Sequence, residues 1–278
     1  MVHLQNNKNN QHRFIGYLKT KELWDGELFD LKQYPIIDIG NVKIKLQNKK
    51  LRLGVLVEQF IFVCLKENKN VELLMTNIQI IQDKKTVGEL DCLISDKGKL
   101  IHLELVYKFY LYDPSIPGNE IEKWIGPNRK DSLKKKLAKL KTKQMPLLSD
   151  PKSNEIISDL GYNSEMFDQK VHFKAQLFIP LGLNEQIITE VNKSCIRGLY
   201  ITLDELQLFK ENDFFIPSKL DWLIAPHHDV VWLSYTESKS IIELELNQSR
   251  SPLCWMKDSK GNITKLFVVF WHKDKNSI

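Results

Sequence analysis

At 278 residues, with 42% hydrophobic and 27% charged side chains, the chain has the composition of a globular protein of one large domain or two smaller ones. The longest apolar stretch, 55–65, is interrupted by Glu58 and Gln59 and falls short of the roughly 20 residues a bilayer needs, and no apolar signal core follows the Asn- and Gln-rich start, so neither a membrane span nor secretion is expected. Cys64, Cys92, Cys195 and Cys254 lie too far apart for a zinc ribbon or a dithiol motif, which points to a reducing cytoplasm, and the net charge of +5 is modest but unevenly placed.

Residues 1–12 have the composition of a disordered segment. Residues 13–50 read as an N-terminal elaboration, with a short helix within 14–31 and an alternating, strand-like stretch at 35–46. Residues 51–66 read as a helix, with Val55, Glu58, Phe62 and Leu65 on one stripe at helical spacing. An acid on such a stripe costs free energy without a partner, so Glu58 lies at the stripe's edge or is aimed at a polar site. After a turn at 67–70, residues 71–82 form a strand.

Residues 86–95 and 100–111 are two strands joined by the tight turn Asp96-Lys97-Gly98-Lys99. Whether the loop is two residues or four, the register is the same: Leu93 faces His102, Asp91 faces Glu104 and Glu89 faces Val106. Opposed side chains have Cβ atoms roughly 5 Å apart, and like charges at that separation destabilise a sheet unless something neutralises them. Two opposed anions call for a cation. The period of two puts Ile101, Leu103, Leu105, Tyr107, Phe109 and Leu111 on one face and His102, Glu104, Lys108 and Tyr110 on the other, polar face.

A loop at 113–119 leads to Gly126-Pro127-Asn128, where Asn128 is a suitable N-cap for a helix carrying Leu133, Leu137, Leu140 and Gln144 along one face and ending near Pro146. Eight basic residues, Arg129, Lys130, Lys134, Lys135, Lys136, Lys139, Lys141 and Lys143, stand there against the single acid Asp131. Such a face is either the footprint of a phosphate-bearing partner or a solvated lysine-rich helix. A polar connection at 149–168 precedes a strand at 171–179. Residues 181–278 read as an α/β elaboration packed on the core: a strand at 197–202, a helix from Asp204, aromatic-rich loops around Trp222 and Trp232, a helix at 236–246 and a hairpin of 252–257 with 263–271.

The order helix, three strands, helix, strand, with Glu58, Gly88-Glu89-Leu90-Asp91, Glu104 with Lys108, and Gln144, resembles the PD-(D/E)XK nuclease core over 51–180. The wording of the central block, through Trp124-Ile125-Gly126-Pro127-Asn128-Arg129, Asp131, Lys136 and Gln144, is similar to a bacterial family, domain of unknown function 1853, assigned to that superfamily. The resemblance implies a restriction-endonuclease-like α/β (α+β) fold, a mixed sheet flanked by helices, and a magnesium- or manganese-dependent nuclease acting on DNA. Asp91 and Glu104 would be metal ligands, Glu58 an outer-shell or second-metal acid, Lys108 the charge stabiliser, and Gln144 a holder of water or phosphate. Arg129, Lys130, Lys134, Lys135, Lys136, Lys139 and Lys143 would contact nucleic acid.

One departure matters. The superfamily's Lys follows the Glu by two residues, a place held here by Val106, and Lys108 lies four residues on, roughly 13 Å along a strand against roughly 6.6 Å. Lys108 then needs a bulge or a backward lean, or a Lys of the basic helix, Lys136 first, substitutes for it; a cross-strand ion pair of Lys108 with Glu89 is the structural reading. Losing this Lys would leave a catalytically inactive nuclease-like module that binds nucleic acid or protein. His102 reads as a hydrogen-bonded surface residue, Cys92 as core on the face opposite Asp91, and Trp222, Trp232, Trp255 and Trp271 as C-terminal core. His227-His228-Asp229 lacks ligand spacing.

Overall fold

The structure, a computed structural model, describes residues 2–37, 39, 40, 42, 44 and 51–271, with side chains from Asn9 onward. It is a mixed α/β protein with six α-helices and a nine-strand mixed sheet among the described residues. Two compact units interleave along the chain: a central unit, Glu22–Tyr107 with Lys134–Lys174, and a second made of Met1–Lys21, Lys108–Leu133 and Ala175–Ile278. No described helix is long and apolar enough to cross a membrane. The four cysteines are buried thiols.

In the central unit, a short ribbon of β1 (Glu27–Leu28) and β2 (Leu31–Lys32) precedes helix α2 (Leu53–Glu67). Strands β3 (Val71–Gln82), β4 (Lys85–Asp96) and β5 (Lys99–Tyr112) follow as an antiparallel meander. Helix α4 (Leu133–Lys139) runs into a five-residue π-turn, Leu140–Gln144, a 3-10 turn, Met145–Ser149, and helix α5 (Pro151–Asp159). Strand β7 (Asp168–Pro180) is the sheet neighbour of β5. Ile78, Ile80, Leu90 and Leu93 of the sheet pack with Leu147, Leu148, Ile157 and Phe167 in one buried cluster.

Three expectations change here. The buried stripe of α2 is Leu56, Val57, Phe60, Ile61, Cys64 and Leu65, while Val55 is exposed, so the stripe of Val55, Glu58, Phe62 and Leu65 is a neighbouring one and Glu58 stands at its edge, half-buried. The segment is apolar nearly all round, which lets several helical stripes fit its pattern. Residues expected to be a polar connection contain α5, capped by the Asp150 carboxylate on the Lys152 amide with Pro151 in the first turn. The described residues of 35–46 form no strand; Asp38, Asn41, Lys43, Lys45 and Leu46 lie outside the described residues.

In the second unit, helix α1 (Val2–Leu18) covers a stretch whose first part the composition assigned to disorder. Its anchors lie just past residue 12: Phe14 and Tyr17 are wholly buried, and the Arg13 guanidinium pairs with Asp221 at 2.6 Å. Helix α3 (Glu120–Lys123), capped by Asn119 in a capping box with Glu122, leads into strand β6 (Trp124–Ile125) beside the end of β5. Strands β8 (Ile196–Thr202) and β11 (Ile263–Val269) are parallel, and β10 (Leu253–Lys257) pairs antiparallel with β11 and with β9 (Asp213–Phe215). Helix α6 (Tyr235–Asn247), also begun by a capping box, lays Ile242 into a cluster with Phe214, Cys254, Leu266 and Val268. The stretch after Asp204 is a 3-10 turn, Glu205–Phe209, rather than a full helix.

A Cβ at Gly16 of α1 would sit 1.9 Å from the Leu223 carbonyl oxygen, whereas one at Gly54 of α2 would meet nothing within 4 Å. Gly16→Ala is therefore expected to cost about 1–3 kcal/mol of stability through backbone displacement, and Gly54→Ala to be neutral or mildly stabilising. Thermal denaturation followed by circular dichroism checks the contrast; equal melting temperatures for the two variants would contradict it.

Candidate functional site

Lys97 and Gly98 both have positive φ, 49° and 80°, as a two-residue hairpin turn requires. That turn sets the register: Asp96 faces Lys99, Leu93 faces His102 and Cys92 faces Leu103. The strand pairing runs as far as Cys92 and Leu103, and just beyond it Asp91 of β4 and Glu104 of β5 are close enough for the Glu104 charge to act on Asp91. Here the Asp91 side chain reaches across, its Oδ2 accepting the Leu105 amide at 2.7 Å. Cys92 points into the core from the other face, with its thiol on the Leu103 carbonyl.

The face expected to be polar and solvated is closed. Glu104 and His102 are both 0% exposed. Glu104 Oε1 lies 3.2 Å from His102 Nε2, and Glu104 Oε2 accepts a hydrogen bond from Gln144 Nε2. The Gln144 Oε1 in turn accepts from Lys136 Nζ at 2.8 Å. His102 is thus a buried partner of the acidic pair and not a surface residue. The signal for it in the sequence was its i, i+2 spacing to Glu104, which puts both on one face of β5.

Gln144 reaches Glu104 from the π-turn that follows α4. Leu133, Leu137 and Leu140 are buried as their spacing predicted, but the α-helix stops at Lys139, and the Met145 amide bonds to the Leu140 carbonyl, five residues back. Pro146 supplies the reason: it has no amide for the Thr142 carbonyl and its ring would crowd that group, so the last turn widens. Asn128 does not cap α4, since its side chain accepts the Ser251 amide instead.

Burial and, after it, the Glu104 charge push the Asp91 carboxyl up to about 8, with Glu58 adding to the rise while the Leu105 amide and the Lys136 ammonium oppose it. Glu58 is raised as well, by burial first and by Glu89 second. The Cys92 thiol is raised by burial, then by Asp91 and Glu104. Glu58, Glu89, Asp91 and Glu104 therefore form a local excess of negative charge, and Lys136 is the cation that acts on Asp91. No group of three or more His, Cys, Asp and Glu among the described residues is arranged to hold a metal ion; Glu58 stands near enough for its charge to act on Asp91.

The remaining candidates separate. Lys108 is half-exposed and its Nζ lies 2.6 Å from Asp131 Oδ2, in place of the cross-strand pair with Glu89. Of the basic run, Lys130, Lys134, Lys135, Lys139, Lys141 and Lys143 are exposed, and Lys141 meets Asp30. Arg129, which has a φ of 56°, pairs with the buried Asp113 at 2.8 Å and lies 4.7 Å over the Trp271 ring. Arg129 is itself exposed, and its guanidinium answers the charge of the buried Asp113 from the surface. Trp222 and Trp255 are core residues, and His227 packs edge-on against Trp255 and beside His12.

No curated protein and no solved structure matches the chain. A family model does, over residues 38–269, and by that match the chain belongs to the family described as Domain of unknown function (DUF1853).

Proposed function

We propose that the acidic hairpin is the divalent-cation site of a nuclease that hydrolyses phosphodiester bonds in DNA, on a PD-(D/E)XK-like core. The observation that carries this reading is the confrontation of Asp91 with the wholly buried Glu104, where burial first and the Glu104 charge second hold Asp91 well above the usual carboxylate range. A divalent cation would relieve both the repulsion and the lost solvation. The order α2, β3, β4, β5, α4, β7 is also the order that the resemblance to that superfamily implies.

The donor set fits a hard cation. Magnesium is held by one or two carboxylates together with substrate phosphate and keeps several waters, so a third protein acid is not required. Each Glu104 oxygen takes one hydrogen bond and so retains acceptor capacity. Asp91 and Glu104 would hold the ion, and when bound it would polarise a phosphoryl oxygen and neutralise developing charge. Gln144 fixes the orientation of Glu104, and Lys136 places a positive charge beside the pair, where a pentavalent phosphate needs it. In this reading Lys136, and not Lys108, is the charge stabiliser, because the Lys108 ammonium is taken by Asp131. Exposed Lys134, Lys135, Lys139 and Lys143 would track the DNA backbone.

A second reading has a specific observation in its favour. Val106 occupies the superfamily's Lys place and Lys108 is paired elsewhere, as in a protein that keeps the metal site but binds nucleic acid without cutting it. Calorimetric titration with Mn2+ and incubation with plasmid and single-stranded DNA separate the two. The nuclease reading expects Mn2+ binding that Asp91→Ala abolishes, and cleavage that drops by about 100-fold or more in Lys136→Ala but far less in Lys108→Ala. Asp91-dependent binding with no cleavage of any substrate establishes the binding module, and no Mn2+ binding at all removes the metal site.

The metal-free protein also carries a pH signature. With its carboxyl near 8 folded against 3.8 ordinarily, Asp91 keeps a proton that the unfolded chain releases, so stability falls as pH rises from about 4 to about 8 and the full cost is present above that window. Asp91→Asn, which turns an acceptor facing Glu104 into a donor, is expected to flatten this slope and to stabilise the protein at pH 8 by about 1–4 kcal/mol. Urea denaturation at pH 5 and pH 8 checks it; an unchanged slope in the variant would assign the pH dependence elsewhere.

For the basic face, Lys134→Glu, Lys135→Glu and Lys139→Glu together should weaken DNA binding and reduce the salt slope of log K by about 3 if all three meet duplex phosphates. Affinity and slope unchanged by the triple reversal would mark the face as a solvated surface.

A further inference from the structure

We propose that His102, in its Nε2–H tautomer, is a positioning residue that holds Glu104 in a fixed orientation, so that the acidic pair is assembled by a directional chain of hydrogen bonds before any cation arrives. The proposal rests on the metal-site reading of Asp91 and Glu104.

The direction of the chain is set at both ends by groups that have no choice. At one end is Lys136, whose ammonium can only donate, so the Gln144 atom it meets is the carbonyl oxygen. Gln144 must then present its amide N–H groups to Glu104 Oε2. At the other end is the Met145 backbone carbonyl, which can only accept. It takes a hydrogen bond from Gln169 Nε2, which fixes that amide the same way round. The second N–H of the Gln169 amide faces His102 Nδ1 at 3.5 Å, so Nδ1 is the acceptor nitrogen and the ring proton sits on Nε2. Nε2 then donates to Glu104 Oε1 across 3.2 Å.

Glu104 thus receives one donor on each oxygen, and neither it nor His102 is exposed to solvent. Two donors, one on each oxygen, hold the plane of a buried carboxylate. What remains on each oxygen is a lone pair for a cation. Met145 ends the π-turn that carries Gln144, so the same backbone segment anchors both halves of the chain, which converge on one carboxylate from β5's neighbour β7 and from the helix side. In metal sites, partners that orient a ligand in this way are worth about 10- to 100-fold in affinity.

The test has two readouts. Two-bond 1H–15N correlation spectra of protein labelled at histidine, with His102 identified by its loss in His102→Gln, should show a pyrrole-type Nε2 and a pyridine-type Nδ1, and Gln169→Leu should mix the tautomers. Mn2+ affinity should fall by about 10- to 100-fold in His102→Leu and be largely restored in His102→Gln, whose amide N–H reaches the place of Nε2–H. Should His102→Leu fail to fold by circular dichroism, Gln169→Leu carries the affinity comparison. An Nδ1–H tautomer overturns the proposal, as does undiminished Mn2+ binding in His102→Leu while Asp91→Ala abolishes it; that second result leaves the metal site standing. A wild-type protein that binds no Mn2+ overturns the metal site and the positioning role with it.

Discussion

Two carboxylates on neighbouring strands, taken out of water, cannot both be ionised unless donors or cations are aimed at them. That constraint organises the central unit around Asp91 and Glu104. Asp91 meets it by drawing on the backbone, capturing the Leu105 amide one step past the Cys92 and Leu103 pair. Glu104 is met instead by side chains, His102 from its own strand and Gln144 from the π-turn. Asp91 is pushed far upward by its burial first and the Glu104 charge second, against the pull of the Leu105 amide.

The cover over the pair is shaped by the same need. A regular α-helix from Leu133 to Ser149 would keep its carbonyl ladder intact but would have to accommodate Pro146 in its interior, at about 3 kcal/mol or more. Widening the turn at Leu140–Gln144 and tightening it at Met145–Ser149 avoids that cost. It also brings Lys136 and Gln144, eight residues apart, within 2.8 Å of each other. Gly88 is part of this packing, because a Cβ there would meet Leu147 of the tightened turn at 2.7 Å. A Cβ at Gly88 would turn the Leu147 side chain aside, so the glycine lets that leucine lie close against the strand.

Much of this was legible in the sequence where local rules are strict. A Lys97-Gly98 turn with positive φ at both positions permits one register, and from that register the Asp91 and Glu104 pair, the inward Cys92 and the facing Leu93 and His102 all follow. The order from α2 through β3, β4, β5 and α4 to β7, without α5, and Leu133, Leu137 and Leu140 as a buried stripe, were legible for the same reason. What escaped depends on tertiary choice. An apolar α2 offers several stripes, and only packing selects Leu56, Phe60 and Cys64. His102 alternates with apolar residues as any surface strand residue would, and nothing local says that a π-turn will close over it. Arg129 sits in a lysine-rich run and stays exposed, yet pairs with the buried Asp113 and lies over Trp271, partners that the run itself does not announce.

The position of the site lysine follows from these two kinds of constraint acting together. On β5, the place two residues after Glu104 is taken by Val106, which is 3% exposed and part of the core, and Lys108 finds an anion of its own in Asp131. A cation for the acidic pair must then come from outside the strand. The basic helix has lysines on every side, but only a residue that leans inward can use its ammonium at the pair, and Lys136 is the one less exposed than its lysine neighbours. Its charge reaches Asp91 while its hydrogen bond goes to Gln144, so one side chain both lowers the cost of the buried anion and orients the amide that holds the other. A lysine on β5 at the place of Val106 would do only the first of these, since the strand fixes its side chain beside the pair and away from the π-turn. Moving the cation to the helix couples the charge balance of the site to the geometry of its cover, and it is the coupling that makes the widened turn and the buried acids parts of one arrangement.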